Sequence, residues 1–291
     1  MSRRSKKAIA PAAARVEGTT RVIAILGHPV EHSLSPRMHN AAYAALGLDY
    51  VYVPLRCEPS QIRGAVRAIS TLGIVGCNVT VPYKQDVSRL VDRLTPAARA
   101  IGAVNTIFRD GDEMVGDNTD GEGFAAALKH GSVRVRGARA LVIGAGGSAR
   151  AVLHALREGG ASRVVLANRT RAKATKLARE FGAEATGLDA LTNAELLRSC
   201  TLVVNCTPVG LGGGAFLRYD ADATSPRCAH FDLAYGHGPT PFLELARRAG
   251  RPTIDGRLML VFQGAAAFRL FTGKKAPVDV MLAAVGLATS R

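Results

Sequence analysis

Tryptophan is absent from the 291 residues, and aromatic side chains make up only 5% of them. Proteins that hold single-stranded nucleic acid stack bases on aromatics set among basic residues, and no such interleaving is encoded here. No run of about 18 uncharged apolar residues occurs, which excludes a membrane-spanning helix. Cysteine is scarce and odd in number: Cys57, Cys77, Cys200, Cys206 and Cys228. None shows CxxC spacing and all lie in apolar contexts, so a disulfide framework is disfavoured and a reducing, cytoplasmic setting is expected. His28, His32 and His39 lack a metal-ligand spacing, and no metal is expected. Repeats of fixed period and long low-complexity tracts are also missing, which argues against solenoid and disordered architectures.

What remains is an ordinary globular composition with a strong charge bias. Hydrophobic residues are 47% of the chain, enough for one large or two medium domains. The formal charge is +15. Clustered cations would suggest a polyanion partner, but beyond the N-terminus they fall mostly singly or in pairs, as at Arg134, Arg136, Arg139, Lys274 and Lys275. A basic enzyme for small anions fits that scatter better than a nucleic-acid binder, and neither nucleic acid nor membrane is expected as a partner. The opening Ser2-Arg3-Arg4-Ser5-Lys6-Lys7 run resembles the start of a signal segment, but Arg15 and Glu17 interrupt any apolar core after it. Residues 1–20 are expected to form a flexible basic extension.

From Arg21 short β-branched runs alternate with longer helical patterns. Val22 to Leu26 and Tyr50 to Leu55 read as strands, with a helix from Met38 to Leu46 between them. A helix from Gln61 to Leu72 then leads to a strand at Gly76–Val81, and Ala103–Phe108 with Asp112–Gly116 resemble a hairpin closed over Arg109-Asp110-Gly111. A fresh cycle begins at Ala138–Ile143, followed by glycines, a helix to about Glu158, and strands at Arg163–Ala167, Thr201–Asn205 and His230–Leu233. The fold class is therefore α/β, with two domains: an N-terminal α/β domain and a Rossmann-type, doubly wound nucleotide domain. Helical patterns over Leu258–Phe271 and Val278–Ala288 are expected to return to the first domain.

The turn Gly144-Ala145-Gly146-Gly147-Ser148-Ala149 follows an apolar strand and opens a helix, the context in which a G-x-G-x-x-A pattern carries meaning. Gly144 permits the tight turn, Gly146 lets backbone approach a pyrophosphate, and Ala149 allows close helix-to-strand packing, with the helix amides facing the anion. A dinucleotide is the expected ligand. NAD sites usually place a carboxylate after the next strand, whereas this chain has Asn168-Arg169-Thr170-Arg171-Ala172-Lys173. Arg169 can lie across adenine and pair with a 2′-phosphate, Thr170 can donate a hydrogen bond, and Arg171 or Lys173 adds charge, which favours NADP. A merely solvated basic helix start would leave the cofactor choice open.

Three polar clusters precede these glycines. In Gly27–Asn40, Ser33 and Ser35 offer paired hydroxyls beside a helix start, suited to a carboxylate, although either serine would also serve as a simple helix cap ahead of Pro36. The other clusters are Asn78-Val79-Thr80-Val81-Pro82-Tyr83-Lys84 and Gly116-Asp117-Asn118-Thr119-Asp120-Gly121, with Asn105 between them. A lone lysine is usually solvated. Lys84, Asn105 and Asp120 together each close an apolar strand or turn, where α/β enzymes place their ligand groups.

These residues resemble the shikimate dehydrogenase family. The resemblance rests on His32-Ser33-Leu34-Ser35-Pro36 with Met38-His39-Asn40, Asn78 to Lys84, Gly102-Ala103-Val104-Asn105-Thr106, and Asn118-Thr119-Asp120-Gly121. Gly144 to Arg150, Asn168-Arg169-Thr170, Asn205-Cys206-Thr207-Pro208 and Met259-Leu260-Val261-Phe262-Gln263 continue it in family order, from about Arg21 to the C-terminus. One departure is Leu258, where many members carry glycine.

The resemblance implies NADPH-dependent reduction of 3-dehydroshikimate to shikimate, on the route to chorismate and the aromatic amino acids. It assigns Ser33 and Ser35 to the substrate carboxylate and places Thr80, Lys84, Asn105, Asp120 and Gln263 around the ring hydroxyls, with Tyr235 closing over them. Lys84 and Asp120 become the catalytic pair. On the cofactor side it adds Thr207, Leu233 and Gly256 to the glycine turn and to Asn168, Arg169, Thr170 and Lys173. Residues 21–121 with 257–291 would form the substrate domain, 122–256 the cofactor domain, in a monomer or homodimer. Quinate or aminoshikimate dehydrogenases are the neighbouring alternatives, and an NADP-sensing protein without catalysis is the remote one.

Overall fold

The computed structural model describes residues 16–210, 214–236 and 238–288, so most of the expected basic extension lies outside the described residues. Its last residues form a turn in which the Thr19 and Thr20 hydroxyls donate to the Asp49 carboxylate at 2.7 and 2.6 Å.

The first lobe contains strand β1 (Arg21–Gly27), helix α1 (Ser35–Ala45), strand β2 (Tyr50–Arg56), helix α2 (Ile62–Thr71), strands β3 (Gly76–Val79) and β4 (Arg93–Leu94), helix α3 (Pro96–Ile101), and strands β5 (Thr106–Asp110) and β6 (Glu113–Asp117). Its sheet runs β2-β1-β3-β5-β6-β4. Strand β1 pairs in parallel with β2 and β3, and the expected hairpin appears as antiparallel β5 and β6. The short β4 and α3 carry no run long enough to show a period and were not expected. The central strand β1 is apolar almost throughout because both of its faces are covered: Ile23 and Ile25 enter one core cluster, Ala24 and Leu26 the other.

Helix α4 (Asp120–His130) leads to the second lobe: β7 (Arg139–Ile143), α5 (Gly147–Glu158), β8 (Arg163–Ala167), α6 (Arg171–Phe181), β9 (Glu184–Thr186), α7 (Ala194–Ser199), β10 (Leu202–Asn205), β11 (Ala229–Asp232), α8 (Pro241–Arg248) and β12 (Thr253–Asp255). The sheet order β12-β11-β10-β7-β8-β9 is the doubly wound nucleotide-binding order, parallel throughout. The edge strands β9 and β12, of three residues each, are too short to stand out in the sequence. Along β7, Ala140 and Val142 pack on one face and Leu141 and Ile143 on the other, so the strand reads as a continuous apolar run.

Helix α9 (Gly256–Thr272) and helix α10 (Val278–Ala284) return to the first lobe. Helix α9 crosses α4 closely, since a Cβ on Gly123 would lie 2.6 Å from the Gln263 Cβ and 2.7 Å from the Gln263 nitrogen. That crossing brings Gln263 beside Asp120 at the first turn of α4. Leu258 packs between the cores of the two lobes.

Two buried histidines tie stability to pH. Burial lowers His39 from the ordinary 6.5 to about 3, and it lowers His230 to about 4. The unfolded chain therefore binds protons below about pH 6.5 that the folded chain refuses, and stability falls as pH drops through that window. Asp232 acts in the opposite sense: burial raises its carboxyl from 3.8 to about 6, so acidification through that range returns stability. Two groups outweigh one. A net loss of roughly 3 kcal/mol is expected between pH 7 and pH 4.5, measurable by urea unfolding. His39→Phe, which retains an aromatic ring, should flatten the acid limb.

Candidate active site

A cavity of about 1520 Å³ lies between the lobes. All eight residues expected to touch the substrate line it: Ser33, Ser35, Thr80, Lys84, Asn105, Asp120, Tyr235 and Gln263. Three segments of the first lobe, the α4 start, the α9 helix and the loop after β11 deliver them. Leu34 occupies the cap position of α1 without a side-chain cap bond, so the capping alternative for the serines survives only through Ser33, one residue earlier. The Ser33 hydroxyl accepts from the Ser35 amide at 3.2 Å. Tyr235 stands over this end; burial pushes its phenol up, while hydrogen bonding at Ser33 and the Leu34 backbone pulls the other way.

At the centre Lys84 Nζ donates to Asp120 Oδ2 at 2.6 Å, with side chains only 11% and 6% exposed. Asp120 is the first residue of α4, where the helix dipole favours a carboxylate. Asn105 Nδ2 donates to the other carboxylate oxygen at 2.8 Å and to Gln263 Oε1 at 3.3 Å, while Asn105 Oδ1 accepts from the Thr119 amide at 2.8 Å. The pair thus keeps its ionic hydrogen bond in a sheltered site yet faces open cavity, the arrangement a proton donor needs. Among the described residues no cluster of three or more His, Cys, Asp or Glu could hold a metal.

The glycine turn lies directly across the cleft. Gly144 has φ +102°, and a Cβ there would meet the Thr207 methyl carbon at 2.7 Å. A Cβ on Gly146 would meet nothing within 4 Å, leaving its backbone open to approach. Gly147 faces the Lys84 stem, where a Cβ added to the glycine would lie 3.3 Å from the Lys84 Cβ, and the Ser148 hydroxyl is 3.5 Å from Lys84 Nζ. Ala149 is fully buried against the second core. Ser148, Leu233 and Gly256 line the cavity, and Gly256 admits no side chain because a Cβ would lie 2.6 Å from the Asp232 carbonyl oxygen. Gly144, Ala145, Gly146, Gly147, Ala149 and Thr207 stand beside it in the turn and the neighbouring loop rather than in its lining.

Asn168, Arg169, Thr170 and Lys173 lie apart from the cavity, at the end of β8 and the start of α6. Asn168 Nδ2 donates to the Thr170 carbonyl at 3.0 Å, shaping the turn, and Thr170 is the cap residue of α6. Arg169, Arg171 and Lys173 are exposed around that helix start. Cations next to free helix amides make a place for a phosphate. The turn with room at Gly146, the helix behind it and this cationic corner fit a phosphorylated dinucleotide.

Sequence reasoning quoted Asn78 and Thr119 within motifs without giving either a role. Asn78 lines the cavity and donates to the Asn105 carbonyl at 3.2 Å; the Thr119 hydroxyl is within 3.0 Å of Asn105 Nδ2. Asp232 was likewise missed. Its carboxylate accepts from Asn205 Nδ2, the Ala234 amide and the Thr240 hydroxyl, joining the Thr207 side of the site to the Tyr235 loop. The run Asn205-Cys206-Thr207 was in view, but nothing in the sequence links it to residue 232.

Comparison with known proteins agrees with this layout. Residues 25–107 match the family model described as shikimate dehydrogenase substrate binding domain, 125–209 match shikimate / quinate 5-dehydrogenase, and 256–285 match shikimate 5'-dehydrogenase C-terminal domain. The chain is 44% identical over 285 residues to shikimate dehydrogenase (NADP(+)) of Geobacter metallireducens, covering 95% of this chain and 99% of the relative. Its counterpart in Methanopyrus kandleri is also 44% identical, over 93% of this chain and 96% of its own. The crystal structure of shikimate 5-dehydrogenase from Thermus thermophilus in complex with NADP(H) and shikimate superposes with a TM-score of 0.83 at 38% identity, covering 91% of this chain and 98% of that one.

Proposed function

The chain belongs to the shikimate dehydrogenase family, and we propose that it catalyses the reversible NADPH-dependent reduction of 3-dehydroshikimate to shikimate, with Lys84 and Asp120 as the catalytic pair. The observation that carries this reading is the sheltered 2.6 Å ion pair between them, set in one cavity with Ser33 and Ser35 and against the glycine turn. Residues 21–121 with 257–291 supply the substrate side, and 122–256 the cofactor side.

Gly144–Ala149 and Asn168–Lys173 would hold NADPH, with Thr207, Leu233 and Gly256 towards the cleft, and the cofactor bound there would supply the hydride. Ser33 and Ser35 hold the substrate carboxylate through neutral hydroxyl donors, and Tyr235 covers that end. Thr80, Asn105 and Gln263 orient the ring hydroxyls. Lys84 Nζ faces the carbonyl oxygen, stabilises the negative charge that develops there and donates its proton to it. Asp120 keeps the ammonium aimed, and Asn105 keeps Asp120 aimed. In the reverse direction Lys84 takes the proton from the shikimate hydroxyl.

The five cysteines are free, in keeping with work in a reducing cytoplasm. No helix among the described residues is long and apolar enough to cross a membrane. The neighbouring activities separate in a substrate panel. With shikimate, quinate and an aminoshikimate offered in turn with NADP⁺ and NAD⁺, the highest kcat/KM is expected for shikimate with NADP⁺. A highest value for quinate with NAD⁺ would assign the chain to quinate oxidation instead.

A further inference from the structure

The motif Met38-His39-Asn40 has no place in the chemistry above, yet two of its side chains are tightly engaged. Strand β2 is the edge of its sheet, and Asn40 covers that edge: Nδ2 donates to the Tyr52 carbonyl at 2.9 Å and Oδ1 accepts from the Tyr52 amide at 2.8 Å. His39 stacks on the Tyr52 ring, centroids 4.4 Å apart and planes 6° from parallel. Both His39 ring nitrogens are buried without a hydrogen-bond partner among the described residues. Such unsatisfied atoms are costly, and an apolar ring would avoid the cost. The imidazole serves as a flat neutral wall that fixes the plane of Tyr52.

From the Tyr52 hydroxyl, which also meets the Ser35 side chain, one line of hydrogen bonds runs in a single direction. It donates to Asn78 Oδ1 at 2.7 Å, Asn78 Nδ2 donates to Thr106 Oγ1 at 3.0 Å, and Thr106 Oγ1 donates to Asn105 Oδ1 at 2.9 Å. Asn105 Nδ2 then donates to Asp120 Oδ1, and Asp120 Oδ2 receives Lys84. Tyr52, Asn78, Asn105, Thr106 and Asp120 are all buried. In a chain with every donor pointing the same way each bond polarises the next, and each amide is held in a single orientation because flipping it would set like groups against each other at both ends.

We infer that Tyr52, locked by His39 and Asn40, is a positioning residue that holds Asn105 and Asp120, and through them Lys84, in reacting geometry. This rests on reading Lys84 and Asp120 as the catalytic pair. Removing the hydroxyl leaves Asn78 Oδ1 without its donor and the Asn78 amide held only from its Nδ2 side, at Thr106 Oγ1 and the Asn105 carbonyl, and the slack passes to Asn105. Misaim of a proton donor is felt most in the transition state, so kcat should respond more than substrate KM.

The test compares Tyr52→Phe with Tyr43→Phe. Tyr43 lies in the same aromatic cluster, and its hydroxyl, also buried, has no partner among the described residues. Each change removes one buried hydroxyl; only the first breaks the chain. Tyr52→Phe should lower kcat about tenfold with substrate KM within about threefold, whereas Tyr43→Phe should stay within about twofold of wild type on both. Thr106→Val, which cuts a later link, should reproduce the Tyr52→Phe effect should that variant fold poorly. A second readout needs no substrate: the acylation rate of the Lys84 amine, followed by peptide mass spectrometry, should rise about threefold or more in Tyr52→Phe and not in Tyr43→Phe. Wild-type kcat in both Tyr52→Phe and Thr106→Val, equal losses in both tyrosine variants, or unchanged Lys84 labelling would each overturn the inference. If the wild type leaves 3-dehydroshikimate untouched while the labelling contrast persists, the substrate reading fails and the positioning role stands.

Discussion

Lys84→Ala should lower kcat by about 10²-fold or more while NADPH still binds with near wild-type affinity. The oxygen of the reduced ketone gains a full negative charge and must acquire a proton, and Lys84 is the cation in the cavity that is paired with Asp120 at 2.6 Å. Alanine removes both the proton and the charge. Water can still supply a proton, but not one held in place, and oriented general acid catalysis typically contributes 10²- to 10⁴-fold. Cofactor affinity should survive because Lys84 touches the glycine turn only through its stem at Gly147 and the long 3.5 Å approach to Ser148. Asp120→Asn should lose less than Lys84→Ala, since it leaves the ammonium present but free to wander. The double variant should be little worse than Lys84→Ala, because the two residues act as a unit. Steady-state rates with a fluorescence titration of NADPH separate these effects. A Lys84→Ala enzyme turning over near the wild-type rate would remove Lys84 from the mechanism.

Arg169→Ala should lower kcat/KM for NADPH by about tenfold or more and leave that for NADH nearly unchanged, because a charge-assisted hydrogen bond to phosphate is worth about 1.5–3 kcal/mol. Arg169 is exposed at the start of α6 and forms no ion pair among the described residues, so removing it leaves no partner stranded and costs the fold little. The effect should be confined to the phosphorylated cofactor, since the 2′-phosphate is all that distinguishes the two. The diagnostic quantity is the ratio of the two kcat/KM values in wild type and variant. An unchanged ratio would move phosphate recognition to Arg171 or Lys173, or remove it from this corner altogether.

What could be read from the chain and what could not divide along physical lines. The long strands β1, β2, β7 and β8 announced themselves because apolar runs flanked by glycine and polar turns leave few alternatives. The glycine turn was legible because the positive φ at Gly144 favours glycine and the backbone at Gly146 stands open to approach. Lys84, Asn105 and Asp120 were visible as polar residues closing apolar segments, a local signal. Short edge strands such as β4, β9 and β12 are defined by their partners and have no period of their own. The same holds for Asp232 and Tyr52, whose importance lies in hydrogen bonds to Thr240 and Asn78 that only the folded chain brings near. The burial of His39 against Tyr52 and Phe268 is of the same kind, since only the folded chain brings those rings beside it.

The central claim is that this cavity passes a hydride from NADPH to the ketone of 3-dehydroshikimate. The most direct measurement is the NADPH absorbance band on mixing purified protein, NADPH and 3-dehydroshikimate, with the products identified at the end. The account predicts catalytic loss of the band with matching formation of shikimate, and recovery of the band when shikimate and NADP⁺ are supplied instead. A band that holds steady in both directions, with protein shown to be folded and NADPH shown to be bound, would contradict it.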